Sequence, residues 1–166
     1  MNILLQRRSI RQYTGQDVSD EQIQAILQAA MMAPSAGDAR PWQFLIIKNP
    51  ERLAKICDVS PYAKMTKDAS VAIMVCGDLS RERFPGFWVQ DCSAVTQNIL
   101  LEVTQQGLGA VWLGMYPLDD RIEFLRQLFE LPEKIVPFSV IPIGYPAQRP
   151  DTPNRYDTSR IHYDIW

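Results

Sequence analysis

Five residues near the start of the chain, Arg7-Arg8-Ser9-Ile10-Arg11, hold three guanidinium groups and a hydroxyl. Arginine presents a rigid fork of N–H donors that matches phosphate oxygens, so this cluster suits a bound dianionic phosphate. Further along, the run Pro34-Ser35-Ala36-Gly37-Asp38-Ala39-Arg40-Pro41-Trp42 is punctuated by proline, glycine and serine and leads straight into apolar sequence. The backbone of such a loop is free to face a ligand. Together the two segments point to a small phosphorylated cofactor.

Other chemistries find little support. No Gly-x-Gly-x-x-Gly follows a strand and no Gly-x-x-x-x-Gly-Lys occurs, which removes the usual dinucleotide and P-loop signatures. His162 is the one histidine, so a Ser-His-Asp or Cys-His nucleophile would hang on a single residue in the tail. Cys57, Cys76 and Cys92 lack metal-ligand spacing and read as reduced core thiols. A phosphate anchor and a shaped loop, with no evident acid–base machine, fit a cofactor that carries the reactive chemistry itself.

The elements that must position these residues alternate between helix and strand. Ser19 and Gln22 have capping-box spacing, and Ile23, Ile26, Leu27, Ala30 and Met31 form a helical stripe that Pro34 ends. Residues 42–48 read as a buried strand, and Pro50 opens a short helix. After a loop at 60–62 and a short helical piece, 70–77 is a second apolar strand. A long helix is expected over 88–106, with Cys92, Val95, Ile99 and Val103 on one face and Gly107 as its stop. Strands at 109–115 and 136–144 flank a helix at 119–129.

A chain of 166 residues is most simply one domain, here 1–166, and is long enough to bury a substantial core. With a net charge of −2 it has no general attraction for nucleic acid, so the arginine cluster is a local feature. Its apolar runs are too short to span a bilayer, and its N-terminus lacks a signal-peptide pattern. A cytoplasmic location with no nucleic-acid or membrane partner is the expectation. The tail, residues 145–166, carries Pro146, Pro150 and Pro153 and then Ile161-His162-Tyr163-Asp164-Ile165-Trp166. So much apolar surface at a terminus implies packing, either back on its own domain or around a second subunit.

Four motifs in order carry a resemblance: Arg-Arg-Ser-x-Arg, then Pro-Ser-Ala-Gly-x-x-x-Pro-Trp, then Gly107-Leu108-Gly109-Ala110-Val111-Trp112-Leu113-Gly114, then Ile143-Gly144-Tyr145-Pro146. In that order and spacing the chain resembles the FMN-dependent nitroreductase family, as a compact member with a short lid. The resemblance implies an α+β three-layer sandwich, a central and mainly antiparallel sheet flanked by helices. It also implies an intertwined homodimer with FMN at the subunit interface and the 145–166 extension wrapping the partner. The implied activity is an FMN-dependent NAD(P)H oxidoreductase. In its ping-pong cycle NADH or NADPH passes hydride to flavin N5, and an electron-poor small molecule such as a nitroaromatic or quinone is then reduced. Two alternatives stay open: another reaction on the same flavoprotein fold, such as dehalogenation or dehydrogenation, or a non-catalytic flavin-binding module.

Carried over by position, Arg7, Arg8 and Ser9 match the residues that hold the FMN phosphate and ribityl end. Arg11 matches the cation beside the pyrimidine edge, where reduced flavin gathers negative charge. Pro34, Ser35, Ala36, Gly37 and Asp38 match a loop contributed by the partner. Leu113 and Gly114 match the strand end beside N5, and Arg155 the basic residue that completes the phosphate site, with Arg149 and Arg160 in reserve. No side chain is assigned a catalytic role and no metal is implied. Asp38 stands where many relatives have Asn, and Arg40 where Gln is common, so a mutual ion pair is an alternative to flavin contact. Segment 79–87 is short, leaving little lid, and Phe84, Phe87 and Trp88 either line a substrate pocket or pack a loop.

Overall fold

A short helix, α1 (Ile3–Gln6), opens the computed structural model, which describes residues 2–166. Helix α2 (Asp20–Met31) begins at a reciprocal cap: Ser19 Oγ accepts from the Gln22 N–H at 3.2 Å, and Gln22 Oε1 accepts from the Ser19 N–H at 3.0 Å. These bonds satisfy donors that a helix start otherwise leaves orphaned. Strand β1 (Trp42–Ile47) leads to α3 (Pro50–Ile56), where Pro50 fills the first turn and Asn49 Oδ1 accepts from the Arg52 N–H. Strand β2 (Val71–Asp78) is buried along its whole length. Helix α4 (Trp88–Gln105) ends at Gly107, whose φ of 73° is the left-handed geometry a helix stop favours. Two short strands, β3 (Gly109–Ala110) and β4 (Leu113–Gly114), precede α5 (Asp119–Phe129) and β5 (Ile135–Gly144).

The strands form one sheet in the order β1-β2-β5-β3, with β4 also on β5, and every named pair is antiparallel. Alternation along β2 sorts the core into two halves, because successive side chains leave a strand on opposite faces. Val71, Ile73 and Val75 pack with Ile26 of α2 and with Val95 and Ile99 of α4. Ala72, Met74 and Cys76 pack with Leu53 and Ile56 of α3 and Leu125 of α5. Helices on both faces of an antiparallel sheet give the expected three-layer sandwich.

One expected element differs. The single strand over 109–115 is interrupted at Val111 and Trp112. The register runs unbroken from Ala110↔Ile143 to Leu113↔Val140, so Val111 faces Pro142. Proline has no N–H to donate, and the ladder fails there. The Pro142 carbonyl instead accepts from the Tyr13 hydroxyl at 3.1 Å.

The arginine segment is stitched to this broken edge. Ser9 pairs in parallel with Ala110, the Ile10 N–H donates to the Ala110 carbonyl at 2.9 Å, and Thr14 N–H donates to Tyr145 O at 2.9 Å. Gly109 is required for the fit, since a Cβ there would lie 2.7 Å from Ile10 Cγ2. The tail begins beside this segment, with Ala147 N–H donating to Gln12 O, but residues 151–166 are exposed throughout. Tyr163, Ile165 and Trp166 do not fold back into the core of their own chain, Trp166 being 99% exposed. No helix among the described residues is long and apolar enough to cross a membrane.

Candidate functional site

Arg155 lies close enough to Arg7 for their charges to repel, although the two are 148 positions apart in the chain. Each nitrogen of the Arg8 guanidinium donates to a carbonyl: Nη1 to Arg7, Nη2 to Leu5 and Nε to Asp151. Arg8 thus ties the end of α1 to the tail at Asp151. Burial and then the charges of Arg155 and Arg8 push the Arg7 pKa below its ordinary value. None of the three arginines has a carboxylate ion pair among the described residues. Like charges held together without a counter-ion repel one another, and a dianion would remove that cost. Arg149 lines a cavity with Arg8, Arg160 is paired with Asp157 at 3.0 Å, and Arg155 is the tail residue whose charge acts on Arg7.

Arg11, three positions on from Arg8, lines a different space. A pocket of about 470 Å³ is bounded by Arg11, Tyr62, Met65, Trp112, Leu113, Gly114 and Arg121, among others. The broken strand edge lines it with Val111, Trp112, Leu113 and Gly114, of which Gly114 is exposed. A Cβ at Gly114 would meet nothing within 4 Å, so the glycine keeps this strand end bare toward open space. Arg121, in the first turn of α5, donates from Nη1 to the Gly114 carbonyl at 2.8 Å. Structure therefore brings Arg11, Leu113 and Gly114 together at one pocket, with Ser9 holding the adjoining segment on Ala110.

The loop at 34–38 sits elsewhere in the same chain, and none of its residues lines the Arg11 pocket. Ser35 Oγ accepts from the Arg40 N–H at 3.0 Å, and the Ala36 N–H donates to the buried Asp91 carboxylate at 2.9 Å. Gly37 has φ 60°, and a Cβ there would collide with Arg83 Cδ at 2.7 Å and Phe84 Cε2 at 2.8 Å. Arg83 also donates to the Gly37 carbonyl. The Asp38 carboxylate takes both oxygens to Arg40, at 2.8 and 2.5 Å, and that contact holds its pKa below the ordinary carboxylate range. Its acceptor capacity is thus turned toward Arg40, the alternative its sequence context raised.

Trp88 is core: its ring lies 4.7 Å from Tyr116 and covers the position a Gly77 Cβ would occupy. Phe84 and Phe87 meet edge to face at 6.2 Å and stay half exposed. Three contributors had no sequence signal of their own. Asp91, inside a long helix, anchors a loop 55 residues away. Tyr62 and Arg121 reach the Arg11 pocket from a turn and a helix start. Charged or aromatic residues in such places usually face solvent, and only contact identifies them.

The model of the Nitroreductase family matches this chain over residues 4–60 and 58–145. A protein of Methanothermobacter thermautotrophicus named as a candidate NADH dehydrogenase/NAD(P)H nitroreductase is 57% identical over 160 residues, covering 96% of this chain and 84% of that one. The crystal structure of a candidate NADH oxidase from Clostridium acetobutylicum superposes with a TM-score of 0.96 at 40% identity, over 99% of this chain and 100% of the other. A candidate nitroreductase from Desulfovibrio desulfuricans, solved in complex with FMN, gives 0.85 at 30% identity over 99% and 95%. These matches run along nearly the whole chain, which belongs to the nitroreductase family.

Proposed function

We propose that this chain is an FMN-dependent NAD(P)H oxidoreductase, a single domain spanning 1–166 that works as a homodimer with FMN at the subunit interface. The Arg7 guanidinium carries the reading: it has no carboxylate ion pair among the described residues and is repelled by the charges of Arg155 and Arg8, a repulsion that a bound dianion would relieve. The rest of the residue set fits FMN as well: bare backbone at Gly114 admits a flat ring, and Arg11 supplies a cation at the same pocket. The family match, and the FMN found in the Desulfovibrio relative, support the same cofactor.

In this reading Arg7, Ser9 and Arg155 hold the phosphate and ribityl end, and Arg8 braces them from behind. Arg11 favours negative charge on the ligand edge it faces, and the backbone of Leu113 and Gly114 orients the ring without adding a competing acid or base. Pro34, Ser35, Ala36, Gly37 and Asp38 serve the site of the second copy, which is why they line no part of the Arg11 pocket in their own chain. Exposed Ile161, Tyr163, Ile165 and Trp166 wrap that copy. When bound, FMN supplies two-electron chemistry at N5, fed by NADH or NADPH and discharged to an electron-poor acceptor such as a nitroaromatic or quinone. Three free cysteines fit a reducing, cytoplasmic compartment.

The test is a visible absorption spectrum of the purified protein with FMN, followed by anaerobic NADH and NADPH. Bound flavin that bleaches with either nucleotide is the expected result and identifies the donor. Flavin that binds and stays oxidised would leave a carrier, and no binding would overturn the assignment.

A further inference from the structure

The Arg11 pocket contains a second arginine that the flavin reading does not use. Arg121 is half-buried at the start of α5, and one nitrogen, Nη1, is fixed on the Gly114 carbonyl. That single bond orients the guanidinium plane and leaves Nε and Nη2 without a protein acceptor among the described residues. Its neighbours Asp119 and Asp120 form no ion pair with it. Every other residue lining the pocket is apolar, neutral or Arg11, so no carboxylate balances the two cations. The Tyr62 ring, 74% exposed at the same pocket, offers a flat face to a planar guest. A pre-oriented guanidinium with free donors beside an aromatic face is a receptor for an aromatic carboxylate.

We propose that Arg121 is a specificity-determining residue that binds an anionic group, a carboxylate, on the electron acceptor, so that aromatic acceptors bearing one are taken ahead of neutral analogues. This rests on the FMN reading, in which Arg11 serves the flavin and Arg121 is left for the second molecule. The short 79–87 segment contributes none of the lining residues, so this selectivity does not depend on a lid.

The experiment titrates FMN-loaded, oxidised protein with 4-nitrobenzoate and with neutral 4-nitrobenzamide, reading the perturbation of the flavin absorption bands at equilibrium and without turnover. The expected preference for the carboxylate is about tenfold or more at low salt, the scale of a charge-assisted hydrogen bond. Added salt should erode the preference and leave nitrobenzamide binding unchanged. Arg121→Gln should abolish the preference while flavin content and nitrobenzamide affinity hold, and Arg121→Lys should keep part of it. Equal affinities in the parent protein would overturn the inference. So would an Arg121→Gln variant that loses flavin or binds both probes equally less well, because the guanidinium would then belong to the cofactor. An effect confined to the affinity for NADPH relative to NADH would assign the anion to the donor and also overturn it. Flavin uptake is read in the same spectrum. A chain that takes up no FMN refutes the flavin reading and this inference with it, whereas uptake with equal affinities refutes this inference alone.

Discussion

Replacing Gly109 by alanine tests how tightly the arginine segment is tied to the sheet. A methyl built there would lie 2.7 Å from Ile10 Cγ2, 2.8 Å from Ile10 Cβ and 3.0 Å from Ile10 Cγ1. Rotating the Ile10 side chain moves the γ carbons but not Cβ, so the backbone between Ser9 and Arg11 has to retreat until contacts reach the ordinary 3.4–4 Å range. That retreat stretches the bond from the Ile10 N–H to the Ala110 carbonyl, now 2.9 Å. Overpacking of this kind costs about 1–3 kcal/mol. For a domain of this length that corresponds to a melting temperature lower by roughly 2–12 °C. Ser9 and Arg11 flank the displaced residue, so FMN affinity should fall in the same variant. Calorimetry at fixed protein concentration measures the first effect and fluorescence titration of FMN the second. Ile10→Ala removes two of the three clashing atoms, so the double variant should lose less stability than the two single losses combined. A Gly109→Ala protein with unchanged melting and unchanged FMN affinity would refute the close-packed stitch and the site built on it.

Further outcomes follow from other contacts. Asp91→Ala frees the Ala36 N–H from a charge-assisted bond of about 1.5–3 kcal/mol, and amide exchange at Ala36 should quicken, whereas Asp91→Asn keeps an acceptor and should hold it slow. Burial pushes the Cys76 thiol up from 9.0 to about 12. The unfolded chain therefore loses this proton first, and stability should fall as pH rises from about 9 toward 12, by up to about 1.4 kcal/mol per pH unit; urea midpoints of the parent and Cys76→Ala compared across that window check it. With Cys76 and Cys92 both buried and protonated, iodoacetamide should label Cys57 alone in the native protein and all three thiols in denaturant, as mass spectrometry will read. Light scattering on the full chain should give a dimer, and an FMN-saturated monomer would refute the shared site.

Much of the fold was legible because its signals are local. The Ser19–Gln22 box, Pro50 at a first turn and the stop at Gly107 each act within a few residues, and the unbroken apolar run over 70–77 marks a strand buried on both faces. The break in the third strand was not legible. It depends on Pro142 lying opposite Val111, a matter of register between segments joined through α5.

The candidate site divides along the same line. Residue type and adjacency marked Arg7, Arg8 and Arg11 as anion binders, and motif order along the chain tied them to the loop at 34–38 and the edge at Leu113 and Gly114. By itself the sequence determined the elements, the kind of ligand and the family, since propensity, capping and motif spacing are properties of neighbouring residues. Tertiary structure alone decided that Arg155 joins Arg7, that Asp38 turns to Arg40, that Asp91 holds Ala36 and that Arg121 enters the Arg11 pocket. Charge proximity and hydrogen bonding fall off over a few ångströms, and separation along the chain does not reveal which distant residues folding brings within that range.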